Sequence, residues 1–399
     1  MGTAGQFQPL LPDASASAPL LERAAALVAE ANRLESAAGA LMGALAPLLR
    51  SMNSYYPNKI EGQHTRPFEI ERALAHQFDA DEKQARKQRL ALAHIDAEVA
   101  LEATLPMSRT DLYAPAFVQA IHRELYGKLP VSDRVNDHGA PVTPGAWRES
   151  LVTAGRHLAP EPADIGPLLV AWQRAYAPLP GLEQALVGAL CSHHRLLWVH
   201  PFLDGNGRTA RLHTHLLLTE LGVTRGVWSP LRGMARDQEG YYARLNNADL
   251  PRRNDLDGRG PLSQEELVGF ASWLLDVCLD QARFMRELLG LEKLKERLAD
   301  LLLWLAARPW PIGSEMSVVK PEALEALHYV AITGSLERAR FIAMTGLPNR
   351  TARRVLASLL DFGVLRADGP RSPVRLGVPL ASLRFVFPRL WPEAEQDVA

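Results

Sequence analysis

Along most of this chain apolar residues recur at three- and four-residue spacing, and strand-like alternation is confined to short stretches. That spacing lines one face of a helix, so the middle of the chain must be built almost wholly of helices that bury their apolar faces together. The pattern predicts one long or two shorter helices from about Ala14 to Arg50. Further helices are expected over Glu69–His76, Glu82–Leu101, Pro115–Gly127, Gly181–Trp198, Gly207–Leu221, Glu239–Ala248 and Gln264–Leu305. Pro57, Gly62 and Pro67 punctuate the chain early, and Asp137, Gly139, Pro141 and Pro144 exclude regular structure over 130–145. Between them and the next helix, Trp147–Ala154 alternates well enough for a short strand or hairpin.

At 399 residues the chain exceeds one ordinary core, which sets an expectation of about two or three domains. Pro309, Trp310, Pro311 and Gly313 read as a linker. The expected division is an N-terminal helical region over 1–110, a helical core over 111–305, and a linker with a smaller domain over 306–399. With 44 Lys+Arg against 45 Asp+Glu the chain is no polyelectrolyte, so any affinity for nucleic acid must be local. Cys191 and Cys278 lie in helical patterns without the spacing of a metal site or a disulfide framework, which fits a reducing compartment. No signal-peptide pattern opens the chain, and no apolar run approaches the roughly 20 residues needed to cross a bilayer. A cytoplasmic protein without membrane contact is expected.

The densest chemistry lies in His200-Pro-Phe-Leu-Asp-Gly-Asn-Gly-Arg-Thr-Ala-Arg211, a loop feeding a helix. Gly205 and Gly207 flank Asn206, letting the backbone turn sharply and approach a ligand closely. The first turn of the following helix leaves N–H groups free to bind phosphate. Arg208 and Arg211, three apart, can reach one anion together, and two guanidinium groups suit a polyphosphate better than a carboxylate. Asp204 offers a hard oxygen for Mg²⁺, and His200 titrates near neutrality and can take a proton from a hydroxyl. Gly-Asn-Gly turns and solvated arginines are each common alone; the whole set within twelve residues is not.

These residues resemble the Fic-domain signature His-x-Phe-x-(Asp/Glu)-Gly-Asn-Gly-Arg-x-x-Arg and match each of its specified positions, with the resemblance extending over about Tyr113–Leu289. It implies a helical core with a short β-hairpin flap; with the N-terminal helical extension that the apolar pattern gives and a tail that itself resembles a winged helix-turn-helix, the expected fold is mainly α. The resemblance also implies a reaction, in which a Ser, Thr or Tyr hydroxyl of a target protein attacks the α-phosphorus of ATP and pyrophosphate leaves. His200 would be the base and Asp204 the Mg²⁺ ligand. Gly205, Asn206 and Gly207 would form the anion nest, with Arg208 and Arg211 on the β- and γ-phosphates. Phe202 would anchor the loop in the core. Doc-type relatives, which phosphorylate instead, depart at the glycines and lack the last arginine; Gly205, Gly207 and Arg211 are all present here.

Three further segments resemble parts of the family. Pro144–Val152 is similar to the flap, which holds a target segment by strand addition. Tyr241 and Tyr242 lie where the adenine pocket is lined, Tyr242 being the expected contact. Pro57–Gly62 is similar to the inhibitory motif (Ser/Thr)-x-x-x-Glu-(Gly/Asn), which implies that Glu61 pairs with Arg211 and excludes the γ-phosphate; Pro57 departs from it. In some relatives this glutamate positions water to remove AMP, and both directions stay open. From Ser335 to Trp391 ten Arg face three acidic residues, and Arg350, Arg353 and Arg354 fall on the second helix of a helix-turn-helix pattern followed by a hairpin. The partners expected are ATP, a target protein at the flap, a second copy of the chain, and DNA. A nucleotide-sensing DNA-binding regulator is the competing reading.

Overall fold

The computed structural model describes residues 5–397; positions 1–4 and 398–399 of the expected terminal regions lie outside the described residues. The protein is mainly α. The chain divides into two compact units, the first comprising Met1–Asn32, Asn53–Thr65 and Glu69–Ala282 and the second Arg33–Met52, Arg66–Phe68 and Arg283–Ala399. This division departs from linear boundaries after 110 and 305.

The N-terminal region contains α1 (Ala14–Ala38), α2 (Leu41–Ile60), α3 (Pro67–Leu74) and α4 (Glu82–Glu102). There follow α5 (Arg109–Leu112), α6 (Pro115–Gly127), the hairpin β1 (Thr153–Ala154) and β2 (His157–Leu158), then α7 (Ile165–Tyr176) and α8 (Leu182–Val199). Next come α9 (Asn206–Glu220), α10 (Leu231–Arg236), α11 (Gln238–Ala248) and α12 (Gln264–Leu288). In the first unit α6, α7, α8 and α9 pack side by side, with α4 on α6 and α9. Fully buried Tyr113, Trp172 and Tyr176 fill the space between them, with Trp172 donating its indole N–H to the Ser192 carbonyl at 3.1 Å.

Later elements are α13 (Leu291–Ala307), the hairpin β3 (Pro311–Ile312) and β4 (Glu315–Met316), α14 (Leu324–Thr333), α15 (Arg338–Met344) and α16 (Asn349–Phe362). The chain continues through β5 (Leu365–Arg366), β6 (Arg375–Leu376), α17 (Leu383–Val386) and α18 (Pro392–Asp397). Within the second unit α14, α15 and α16 pack together, and Leu336 pairs with Val374 beside the β5–β6 hairpin through two backbone hydrogen bonds of 2.9 and 2.8 Å.

Four local expectations change. The helix expected over Gln264–Leu305 is two helices, because Gly290, a poor helix former, interrupts it in an extended conformation. Pro57 lies inside α2 and does not end it. An interior proline costs about 3 kcal/mol, and burial of Tyr55, Tyr56 and Ile60, at about 1.5–3 kcal/mol each, exceeds that. The expected linker at 309–313 is part of the β3–β4 hairpin, where Trp310 donates to Asp361 Oδ2 at 2.8 Å and packs on Phe362. The hairpin expected within Trp147–Ala154 pairs farther on, at Thr153–Leu158, with Ala159 N–H reaching the Val152 carbonyl at 3.1 Å; over 144–150 the backbone instead turns to follow the loop after α8.

The first unit also buries an unusual set of histidines. Burial pushes His94 and His193 down to about 3, and His122 and His213 down to about 4. The His193 tautomer follows from its partners: the Thr214 hydroxyl donates to the Ala210 carbonyl and so accepts from Nδ1, leaving Nε2 to accept from Tyr241. Each ring regains its ordinary proton affinity on unfolding, so the unfolded chain binds more protons between about pH 6.5 and pH 4. The stability from keeping these rings neutral is whole above that window and is lost as pH falls through it. Thermal melts from about pH 7 to about pH 5 are expected to show a falling Tm; a Tm that rises on acidification contradicts this account.

Candidate active site

His200 closes α8 in the left-handed region, at φ 49° and ψ 59°, a conformation costly for a residue with a side chain. The surrounding chain holds it there. His200 N–H donates to the Leu196 carbonyl at 3.2 Å, and Arg148 Nε donates to the His200 carbonyl at 2.8 Å. Nδ1 lies 3.2 Å from the Leu197 carbonyl, which can only accept, so Nδ1 carries the proton and Nε2 keeps its lone pair. Burial, with His157 and Arg148 adding to it against the pull of the Leu197 carbonyl and Glu61, takes the imidazole down to about 4. At neutral pH this is an unprotonated base.

The loop after it is braced from within. Phe202 is fully buried, stacked on His122 at 3.9 Å. Asn206 turns its amide back on the loop, accepting from Phe202 N–H at 2.9 Å and donating to the Phe202 carbonyl at 2.8 Å. The Asn206 side chain therefore shapes the loop and does not face the site. His122 bridges two strands of loop: Gly145 N–H donates to Nδ1 at 2.8 Å, and Nε2 donates to the Asp204 carbonyl at 3.1 Å.

Gly205 has φ +77°, and a Cβ there would lie 2.6 Å from the Tyr126 ring, so both conformation and space call for glycine. It opens α9, whose N-terminal end has no side-chain cap. Glu61 occupies that end. Its carboxylate pairs with Arg211, which is 1% exposed, and a Cβ built at Gly207 would collide with Glu61 Oε1. Burial works against the Arg211 charge, but Glu61 more than offsets it and holds the guanidinium firmly protonated. Glu61 sits in the turn after α2, where Gly62 N–H donates to Lys59 and Gln63 N–H to Asn58, at 3.0 and 2.8 Å. Gln238 Nε2 and the Tyr242 hydroxyl both donate to the Ile60 carbonyl, each at 3.0 Å. Tyr242 is 38% exposed and reaches this turn, whereas Tyr241 is buried on His193.

Asp204 and Arg208 form a second group. The Tyr126 hydroxyl donates to Asp204 Oδ2 at 2.6 Å, and Arg208 Nη2 donates to the same oxygen at 3.2 Å and to the Tyr126 hydroxyl at 2.6 Å. Burial opposes ionisation of Asp204, but Arg208 and Tyr126 outweigh it and hold the carboxyl below its ordinary value. The carboxylate is thereby kept ionised, a hard oxygen donor of the kind Mg²⁺ takes, and Mg²⁺ fits it.

His200, Asp204, Gly205, Asn206, Gly207, Arg208, Arg211 and Glu61 thus come together around the start of α9, with Tyr242 on the adjoining turn. Tyr126, His122, Gln238 and the anchoring role of Arg148 were not singled out from the sequence. Their only trace there is position on otherwise ordinary helical and loop patterns.

Residues 113–218 match the family model described as the Fic/DOC family. Over 122 residues the chain is 31% identical to "Protein adenylyltransferase Fic" of Nematostella vectensis, covering 30% of this chain and 27% of the relative. Over 109 residues it is 34% identical to the protein of the same name from Drosophila erecta, covering 27% and 22%. The chain therefore spans about a quarter of the length of these relatives. A crystal structure of a Fic family protein from Desulfovibrio desulfuricans G20 aligns over 90% of this chain and 96% of its own, at 18% identity and a TM-score of 0.49. Residues 113–218 are a domain of the Fic/DOC family.

Proposed function

We propose that this chain transfers AMP from ATP to a Ser, Thr or Tyr hydroxyl of a protein, and that Glu61 holds it off at rest. The observation that carries the reading is the Glu61 carboxylate lying on Arg211 and over Gly207, so that an anion already fills the uncapped end of α9. A guanidinium fork meets one oxyanion group at a time in bidentate fashion. With Glu61 withdrawn, the N–H groups at Gly205–Gly207 and the Arg211 fork are free for the β- and γ-phosphates, and Arg208 flanks them. Tyr242 then offers its ring to adenine. His200 Nε2 takes the proton of the incoming hydroxyl as its oxygen bonds to the α-phosphorus and the bond to pyrophosphate breaks. Mg²⁺ on Asp204 would neutralise phosphate charge. The target segment lies along the β1–β2 hairpin, where backbone pairing leaves its sequence free. The relatives' printed name, protein adenylyltransferase, agrees with this reading.

Labelling with ATP carrying a radioactive α-phosphate tests it. Glu61→Gly is expected to raise self-labelling by more than about fivefold, the factor set by the 1 kcal/mol upper end for an exposed ion pair, since Arg211 is buried. Arg211→Ala lowers labelling with or without Glu61, and the double variant resembles Arg211→Ala. A double variant as active as Glu61→Gly would show that Glu61 acts elsewhere. His200→Ala in the Glu61→Gly background loses transfer and keeps ATP binding. Because His200 is pushed down to about 4, the transfer rate should stay level from about pH 8 to pH 5 and fall only below that. A midpoint near pH 6.5 would place the base elsewhere.

For the second unit we infer docking to duplex DNA. Supporting this, α15 and α16 form a helix-turn-helix, Arg350 and Arg353 are exposed on α16, and Arg338 braces the β5–β6 connection through the Ser372 and Gly369 carbonyls at 3.0 and 3.1 Å. Mobility shifts at two salt concentrations should show affinity falling steeply with salt, with a shallower slope in Arg350→Ala and Arg353→Ala. No binding at low salt removes DNA as a partner.

A further inference from the structure

Arg148 is 4% exposed, yet its guanidinium has no carboxylate partner among the described residues; it is spent on carbonyl oxygens. Nε donates to the His200 carbonyl at 2.8 Å, Nη1 to Ser150 at 2.9 Å, and Nη2 to Pro160. Its own N–H donates to the Pro201 carbonyl at 2.9 Å. Ser150 lies just before β1 and Pro160 just after β2, so the fork reaches both ends of the hairpin and the carbonyl of the residue held in a left-handed conformation.

Keeping a charge this deep with no carboxylate in contact, Glu161 acting on it only from farther off, costs free energy, and surface charge cannot account for it. The geometry can. A planar fork with five donors satisfies three carbonyls from different segments at once, whereas an ammonium group is a single point that cannot span them. We propose that Arg148 is a positioning residue that fixes the distance between the β1–β2 hairpin and the His200 imidazole, and so places the hydroxyl borne by a segment on that hairpin against the base. This rests on the transfer reaction proposed above. It differs from a generic packing role in what it predicts, because it acts on the hydroxyl side of the reaction and leaves the nucleotide side alone.

The test uses the full chain carrying Glu61→Gly, with Arg148→Lys as the mildest change and Arg148→Gln as a second variant. Single-turnover self-labelling is measured across ATP concentrations. Arg148→Lys is expected to lower the maximal rate by about a hundredfold, the loss typical of a misplacement near 1 Å, with the half-saturating ATP concentration unchanged. Hydrogen exchange followed by mass spectrometry should show 150–160 and 200–206 losing protection together. A loss of maximal rate at an unchanged half-saturating ATP concentration is what a general packing defect would not give, and titration of the His200 ring by NMR follows the same site from the side of the base. Burial, His157 and Arg148 hold that ring down while Leu197 and Glu61 pull it up, so Arg148→Gln should raise its midpoint above that of the parent and Arg148→Lys should raise it less. A labelling rate kept within about threefold, or loss of protection at only one of the two segments, overturns the proposal. Should Glu61→Gly itself fail to label, the transfer reaction falls, and exchange and titration still decide whether Arg148 couples the hairpin to His200.

Discussion

The positive end of α9 is the constraint to which the rest of the first unit answers. A helix N-terminus presents N–H groups that its own backbone cannot satisfy, and here two arginines in the same helix add full charges beside them. Such an end demands anions. The folded chain provides two, Asp204 through Tyr126 and Arg208 and Glu61 through Arg211, each within the reach of one guanidinium. Gly205 then follows from crowding, since Tyr126 closes on it at a positive φ, while at Gly207 a side chain would have to displace the Glu61 carboxylate from Arg211.

Around this charged end the protein is rigid through polar contacts buried in its core. Asn206 and Phe202 bind each other across four residues, His122 joins the Gly145 and Asp204 loops, and His193 links Thr214 to Tyr241. Neutral imidazoles suit this work because each offers one donor and one acceptor in a fixed plane. The tautomers at His122 and His200 are dictated by partners that can only accept or only donate, and that at His193 by a Thr214 hydroxyl whose proton is already given to Ala210, so the lone pair on His200 Nε2 is set by architecture beyond the residue itself.

Much of this was legible in the sequence. The apolar spacing located α4, α6, α8, α9 and α11 to within a residue or two. The His200–Arg211 segment declared its chemistry because base, carboxylate, glycines and arginines are close in sequence as well as in space. What stayed hidden is what sequence distance conceals. Tyr126 and His122 are 78 and 82 residues from the Asp204 atoms they bind, and nothing in the pattern of α6 distinguishes them from other buried aromatic side chains. Pro57 looked like a break because local propensity says so, and the burial of its neighbours overrules it. The helix expected over Gln264–Leu305 ran through Gly290 because the apolar spacing continues on both sides. Asn206 was expected as part of the anion nest, and only the fold reveals that its side chain faces Phe202.

The turn after α2 is held by more than the pair between Glu61 and Arg211. The Ile60 carbonyl receives both Gln238 and Tyr242, so the residue beside Glu61 is tied to α11 as well as to the charged end of α9. Two equilibria therefore share one set of donors. By thermodynamic reciprocity, any ligand that must displace this turn to reach Arg211 is weakened by the same factor by which it loosens the turn, and anything that pulls α2 away strengthens that ligand by that factor. For a ligand that competes with Glu61 as proposed, the turn would act as a gauge, the occupancy of the site and the order of the turn being two readings of a single coupling free energy.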